Sequence, residues 1–219
     1  MSIIIFSWIY IFFLLYFSGY LFAKIIYIPG KQENIRWYEY VWVGFVFVIS
    51  CLQIINIFYS IDWKILIFTT ILALIGFIFF IVNEKSVLVN SIKRCRQHKF
   101  FYALASAFLL LLFFAYLASN SVSWYDTYLY PLNWVDWTNN APIVPGLANL
   151  HSRLGFNSSF LTFASLFDNW IADGRSSHLV VSFFVSFIVF ECIYLLKRYN
   201  VFSQKIFSAL ILPVILVSL

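Results

Sequence analysis

Charge is what this chain lacks most. Only 11% of its 219 residues are Asp, Glu, Lys or Arg, against about 25% in an ordinary soluble domain. That shortage excludes a solvated globular surface and leaves a polytopic membrane protein. Cysteine is scarce as well. Cys51 and Cys192 lie in apolar stretches and Cys95 in a basic loop, a distribution that builds no disulfide framework. There is no glycine-rich nucleotide loop, no nucleophile elbow and no metalloprotease motif. His151 has no second His or Cys close by in sequence, which rules out a zinc site there. Internal repeats and low-complexity linkers are missing too. The apolar stretches carry no charged residue near their middles; Gln53 and Asn56 are the most polar groups there. Ionisable residues inside spans mark ion and proton pathways, so their absence counts against a transporter or pump.

What is present is apolar and aromatic: 63% and 22% of residues, with a mean hydropathy of +0.90. A span needs about 20 mostly apolar residues. Five segments qualify, at 3–23, 40–59, 63–82, 100–119 and 179–196, and a sixth begins near Ile206. The first lacks a basic leader and a small-residue cleavage site, so it reads as a span rather than a signal peptide. The sixth is still apolar at Leu219, which gives the expectation of an N-terminal fragment of a longer protein. The expected fold is all-α: a polytopic transmembrane helical bundle of about six spans, with short interfacial helices in one large outer loop.

The formal net charge of +5 implies no nucleic-acid partner, because the basic residues stand at span ends, where they orient the chain. Loops 24–37, 83–99 and 197–205 hold eleven of the fourteen Lys and Arg residues. These loops alternate in the topology and therefore share one side, the cytoplasm. The N-terminus and loop 121–178 then face outward. Asp62, Asp126, Asp136, Asp168 and Asp173 fall outside, while Glu33, Glu39, Glu84 and Glu191 fall at or near the inside. The basic run 93–99 either binds anionic head groups or, the simpler reading, anchors the fourth span.

Loop 121–178 is the one long polar island, and loops of that length carry function more often than mere connection. Trp124 and Tyr125 close the fourth span as an aromatic belt. The stretch 127–137 is too polar to span and too aromatic for free solution, which predicts an interfacial helix with Pro131 in its first turn or at a kink. A turn cluster follows at 138–142. Pro145 and Gly146 then turn the chain into a short helix over 147–154, on which Leu147, Leu150 and Leu154 share a face. Asn157 or Ser158 caps the next helix, 159–170. A cap explains Asn157-Ser158-Ser159 better than a glycosylation signal does. Asp168 and Asp173 read as helix-end and turn residues.

Asp126 is the sharpest candidate for chemistry. A carboxylate at the outer surface could act as general base toward an incoming hydroxyl or amine, or hold a divalent cation such as Mg or Mn against a phosphate. The plain alternative is a solvated span-end residue. His151 and Arg153 form the second candidate. Arg suits bidentate phosphate contact, and His could donate to a phosphate or sugar hydroxyl. Against this, His151 could simply pack beneath the loop while Arg153 snorkels at the interface.

The run Trp124-Tyr125-Asp126-Thr127-Tyr128-Leu129-Tyr130, followed by the block from Val144-Pro145-Gly146 through Asn149, His151 and Arg153 to Asn157-Ser158-Ser159, resembles a family of large bacterial multi-span proteins. That family looks like a branch of the GT-C glycosyltransferases. The resemblance implies an enzyme of the inner membrane that uses a polyprenyl-phosphate-linked sugar at the outer face. It divides the chain into a three-span region, 1–99, and the start of a GT-C-like core, 100–219. It places Asp126 at the catalytic acidic position and gives Tyr130, Asn149, His151, Arg153 and Asn157 substrate contacts. Two departures stand out: the acid is single where many such enzymes carry a pair, and Pro131 stands where the pattern often has His. The competing expectation is a non-catalytic protein of polysaccharide or lipid export, either a flippase-like transporter or an assembly scaffold.

Overall fold

The computed structural model describes residues 2–26, 35–84, 98–119, 130–150, 152, 158–168 and 174–198. Among them there is helix and turn but no strand. The helices are α1 (Ser2–Ile26), α2 (Trp37–Phe58), α3 (Trp63–Asn83), α4 (His98–Ser119), α5 (Pro131–Asn140), α6 (Leu147–Leu150), α7 (Ser159–Ser165) and α8 (Ser176–Arg198). Four of them are long and apolar enough to cross a bilayer: α1, α2, α3 and, over Ser176–Leu195, α8. At 1.5 Å per residue the 21 residues of α3 reach about the 30 Å of a hydrocarbon core. The chain is thus an all-α, polytopic membrane protein. The predicted fourth span is a helix, with a shorter apolar stretch described over Phe108–Ser119. The predicted sixth lies outside the described residues.

Helices α1, α2 and α3 pack as one unit. A Cβ on Gly19 would strike the Tyr40 carbonyl, one on Gly44 the Leu15 carbonyl, and one on Gly76 the Phe17 carbonyl. Lipid gives helices no hydrophobic reason to associate, so close backbone approach at small residues supplies the contact instead. Aromatic rings fill the flanks: Phe17 meets Phe77 at 4.9 Å and Phe80 at 5.7 Å. The outer face of α3 remains uncovered, with Phe68, Ile71, Ile75 and Ile78 each about half exposed or more, as a lipid-facing surface requires. Helix α8 joins through Phe184, which packs on Phe45 at 4.4 Å and on Trp42 at 5.6 Å.

Polar contacts sort the bundle into two ends. At one, Lys24 on α1 pairs with Glu84 after α3 at 3.4 Å, and Trp42 of α2 donates to Glu191 of α8 at 2.9 Å. At the other, the Trp8 indole of α1 donates to the Leu179 carbonyl of α8 at 3.1 Å, and the α2–α3 turn meets the island residues through backbone hydrogen bonds. The turn that carries Asp62 and the described part of the island therefore share an end, and the Lys24–Glu84 pair stands at the opposite one.

Local capping adjusts several boundaries. The Glu39 carboxylate accepts from the Arg36 backbone N–H at 2.7 Å, which starts α2 at Trp37 rather than residue 40. Asp62 caps α3, its Oδ1 accepting from Lys64 N–H at 2.9 Å. Asp168 lies in the turn that follows α7, and it serves the next helix: its Oδ1 accepts from Ser176 N–H at 3.4 Å, where α8 begins.

Candidate functional site

The described part of the island folds into a cap on the bundle end that carries the α2–α3 turn. Pro131 opens α5 at its first position, where a missing N–H costs nothing. The predicted turn at 138–142 begins only at Ala141, because α5 runs on through Asn140. The side chains explain the extra residues: Thr138 Oγ1 donates to the Trp134 carbonyl at 2.8 Å, and Asn140 Nδ2 donates to the Asp136 carbonyl at 2.9 Å. Residues that often break helices are here satisfied within one.

Three links fasten the cap to the membrane helices. Ile61 N–H donates to the Thr138 carbonyl at 2.8 Å, and Ile143 N–H donates to the Asn56 carbonyl at 2.9 Å. In the orientation its neighbours dictate, the Asn139 amide nitrogen donates to the Ile61 carbonyl at 2.8 Å and the Ser165 carbonyl at 2.9 Å. Asn139 thereby joins α5, the α2–α3 turn and α7. On α7, Phe163 is fully buried and meets Phe45 of α2 at 5.2 Å. Ser158 caps α7, with its Oγ accepting from Leu161 N–H at 3.3 Å. Helix α7 ends at Ser165 and passes into turn through Asp168, short of the predicted residue 170.

Between cap and bundle lies a cavity of about 260 Å³. Its wall combines Asn56 from the last turn of α2, Trp134, Trp137 and Thr138 from α5, and residues from the segment 141–148. Gly146 shapes that segment at φ +90°, a left-handed backbone that favours glycine. Among the described residues, no charged side chain lines the cavity. Asn56 is buried and donates to the Tyr59 carbonyl at 3.3 Å. Among the described residues the enclosed Trp134 indole nitrogen has no hydrogen-bond partner, an arrangement that costs about 1–3 kcal/mol.

Two sequence-predicted site residues lie close to this cavity. Tyr130 is half-buried at the start of α5, and its carbonyl accepts from Trp134 N–H at 2.8 Å. Asn149 is exposed on α6, with its amide beside Gly146. The expected helix 147–154 is described only over Leu147–Leu150. On that helix Leu147 is buried and Leu150 is 73% exposed. Asp126, His151, Arg153, Asn157 and Leu154 lie outside the described residues. Among the described residues no three His, Cys, Asp or Glu side chains group as metal ligands. Sequence reasoning does not single out Asn56 or Trp134 as site residues. The i, i+3 spacing of Trp134 and Trp137 is the available signal, since it puts both rings on one face of a helix.

A family model described as a domain of unknown function, DUF8201, matches residues 1–219. The chain belongs to that family. No curated protein matches it, and no solved structure does.

Proposed function

We propose that the chain is a glycosyltransferase-like protein of the bacterial inner membrane. It transfers a sugar from a lipid-phosphate donor to an envelope polysaccharide or lipid at the outer face. The observation that carries the reading is a folded cap, tied by backbone hydrogen bonds to the bundle end opposite the Lys24–Glu84 pair. A simple linker between two spans needs neither helices nor a cavity. Chain order puts Asp126 four residues before Tyr130, just ahead of this cap.

In the proposed reaction an acceptor hydroxyl oxygen attacks the anomeric carbon of the donor sugar. The bond from that carbon to the phosphate oxygen breaks, and the lipid phosphate leaves with the electron pair. Asp126 takes the hydroxyl proton, while His151 and Arg153 hold the phosphate and Asn149, Asn157 and Tyr130 contact the sugars. A general base contributes about 10²- to 10⁴-fold. Asp126→Ala in the whole protein is therefore expected to cut sugar incorporation into envelope material at least about 100-fold, read by radiolabel transfer in membranes. Incorporation at the normal rate would reject the assignment.

A further inference from the structure

The two longer helices of the cap are anchored unequally. In α7, Thr162, Phe163, Ala164 and Ser165 are buried, and so are Leu166 and Phe167 just beyond it. Phe163 meets Phe167 at 5.2 Å, and Phe167 lies edge-on to Tyr10 of α1 at 6.2 Å. Helix α7 is therefore part of the bundle core. In α5, a helix of 10 residues, the buried side chains are Val135 and Thr138, so a single buried group is apolar. A helix of that length is marginal by itself in water. Segments that bury little apolar surface are also the ones that open locally.

A second observation points the same way. Among the described residues the Trp134 indole nitrogen has no hydrogen-bond partner, and it is enclosed. Water reaches it only when α5 moves. A donor unsatisfied in the closed form and hydrated in the open one biases the balance toward opening. Polar latches oppose that bias. Ile61 donates its N–H to the Thr138 carbonyl, and the Ile61 carbonyl accepts from the Asn139 amide, each at 2.8 Å. Consecutive residues of α5 thus hold both backbone groups of one residue in the α2–α3 turn. The Asn139 amide also donates to the Ser165 carbonyl at 2.9 Å, which fastens α5 to the better-anchored helix.

We propose that α5 is a lid. It lifts as a unit when the bonds to Ile61 and Ser165 release, while α7 stays in the core. The lid carries Trp134, Trp137 and Thr138 of the cavity wall and leaves Asn56 behind on α2. Its lifting therefore unroofs the cavity at that end of the bundle. The device follows from the packing of the cap and does not depend on the transferase reading.

Hydrogen–deuterium exchange of the whole protein in lipid nanodiscs, resolved to single amides, tests the lid. The N–H groups of residues 134–141 close the turns of α5, from Trp134 bonded to Tyr130 through Ala141 bonded to Trp137. In wild type they are expected to share one opening constant, on the order of tenfold or more above that of residues 162–168. Trp134→benzothienylalanine keeps the fused ring and puts sulfur where the N–H stood. It should lower the opening constant about fivefold or more, because the closed form no longer holds an unsatisfied donor. Asn139→Ala should raise it by a similar factor, with residues 134–141 affected more than 162–168. Equal protection of the two segments in wild type would overturn the lid, as would protection graded from one end of α5, the mark of simple fraying. A benzothienylalanine variant that opens as readily as wild type, or more so, would overturn it too, since the indole N–H would then have a partner in the closed form. The first two outcomes use wild type alone and stand even if a variant misfolds. Sugar transfer is not read in this experiment, so failure of the lid and failure of the transferase reading remain distinguishable.

Discussion

The three-helix unit α1–α3 and the cap over α2 are held together by opposite means. In the first, glycines bring backbones into direct contact and aromatic rings close the flanks. In the second, Asn139, Ile61 and Ile143 tie the chain down through backbone carbonyls and amides, and a cavity remains underneath. Inside a membrane, contact distance is what small residues improve. At its edge, where water competes, a hydrogen bond contributes mainly by ensuring that no buried polar group is left unpaired. The contrast teaches that the same chain uses close packing within its scaffold and polar latches where a cavity remains.

The harshest challenge to that contrast is Gly44→Leu. Its side chain would occupy the space of the Leu15 carbonyl, and the expected cost exceeds the about 1–3 kcal/mol usual for overpacking. The folded yield in detergent should collapse, as seen by size-exclusion profile and helical signal. A well-folded variant would show that the glycine contact is dispensable. Asn139→Ala should act on the cap alone. It strips two carbonyls of a donor, for an expected loss of about 1–3 kcal/mol, and proteolysis should reach residues 130–150 while α1–α3 stays protected. Equal loosening of both regions would erase the distinction. The smallest effect is expected from Lys24→Ala. The Lys24–Glu84 pair is partly exposed, and such pairs contribute about 0–1 kcal/mol, so the thermal midpoint should barely move.

Much of this architecture is legible along the chain because hydropathy is a local property. Hydropathy puts the third span at 63–82, and the helix is Trp63–Asn83. The fifth, expected over 179–196, is longer, Ser176–Arg198, and Asp168 accepts a hydrogen bond from its first residue. The cap is harder to read. Its interfacial helix and the place of its proline follow from pattern, yet the turn cluster is helical over 138–140 because Thr138 and Asn140 bond backward along α5. Apart from the i, i+3 pair Trp134 and Trp137, the cavity leaves no mark on the sequence. Its wall brings Asn56 against Trp134 and Gly146, partners far apart in the chain, and periodicity within one segment carries no trace of such a meeting.

The two bonds from the α2–α3 hairpin to the cap also bear on biosynthesis. When the ribosome has delivered α3, the groups that Ile61 N–H and the Asn56 carbonyl will meet, on Thr138 and Ile143, have yet to be made. Hydrocarbon offers a peptide dipole nothing in the meantime. The hairpin tip must therefore wait in a hydrated place, and the arriving cap displaces its solvent only after the fourth helix has been synthesised.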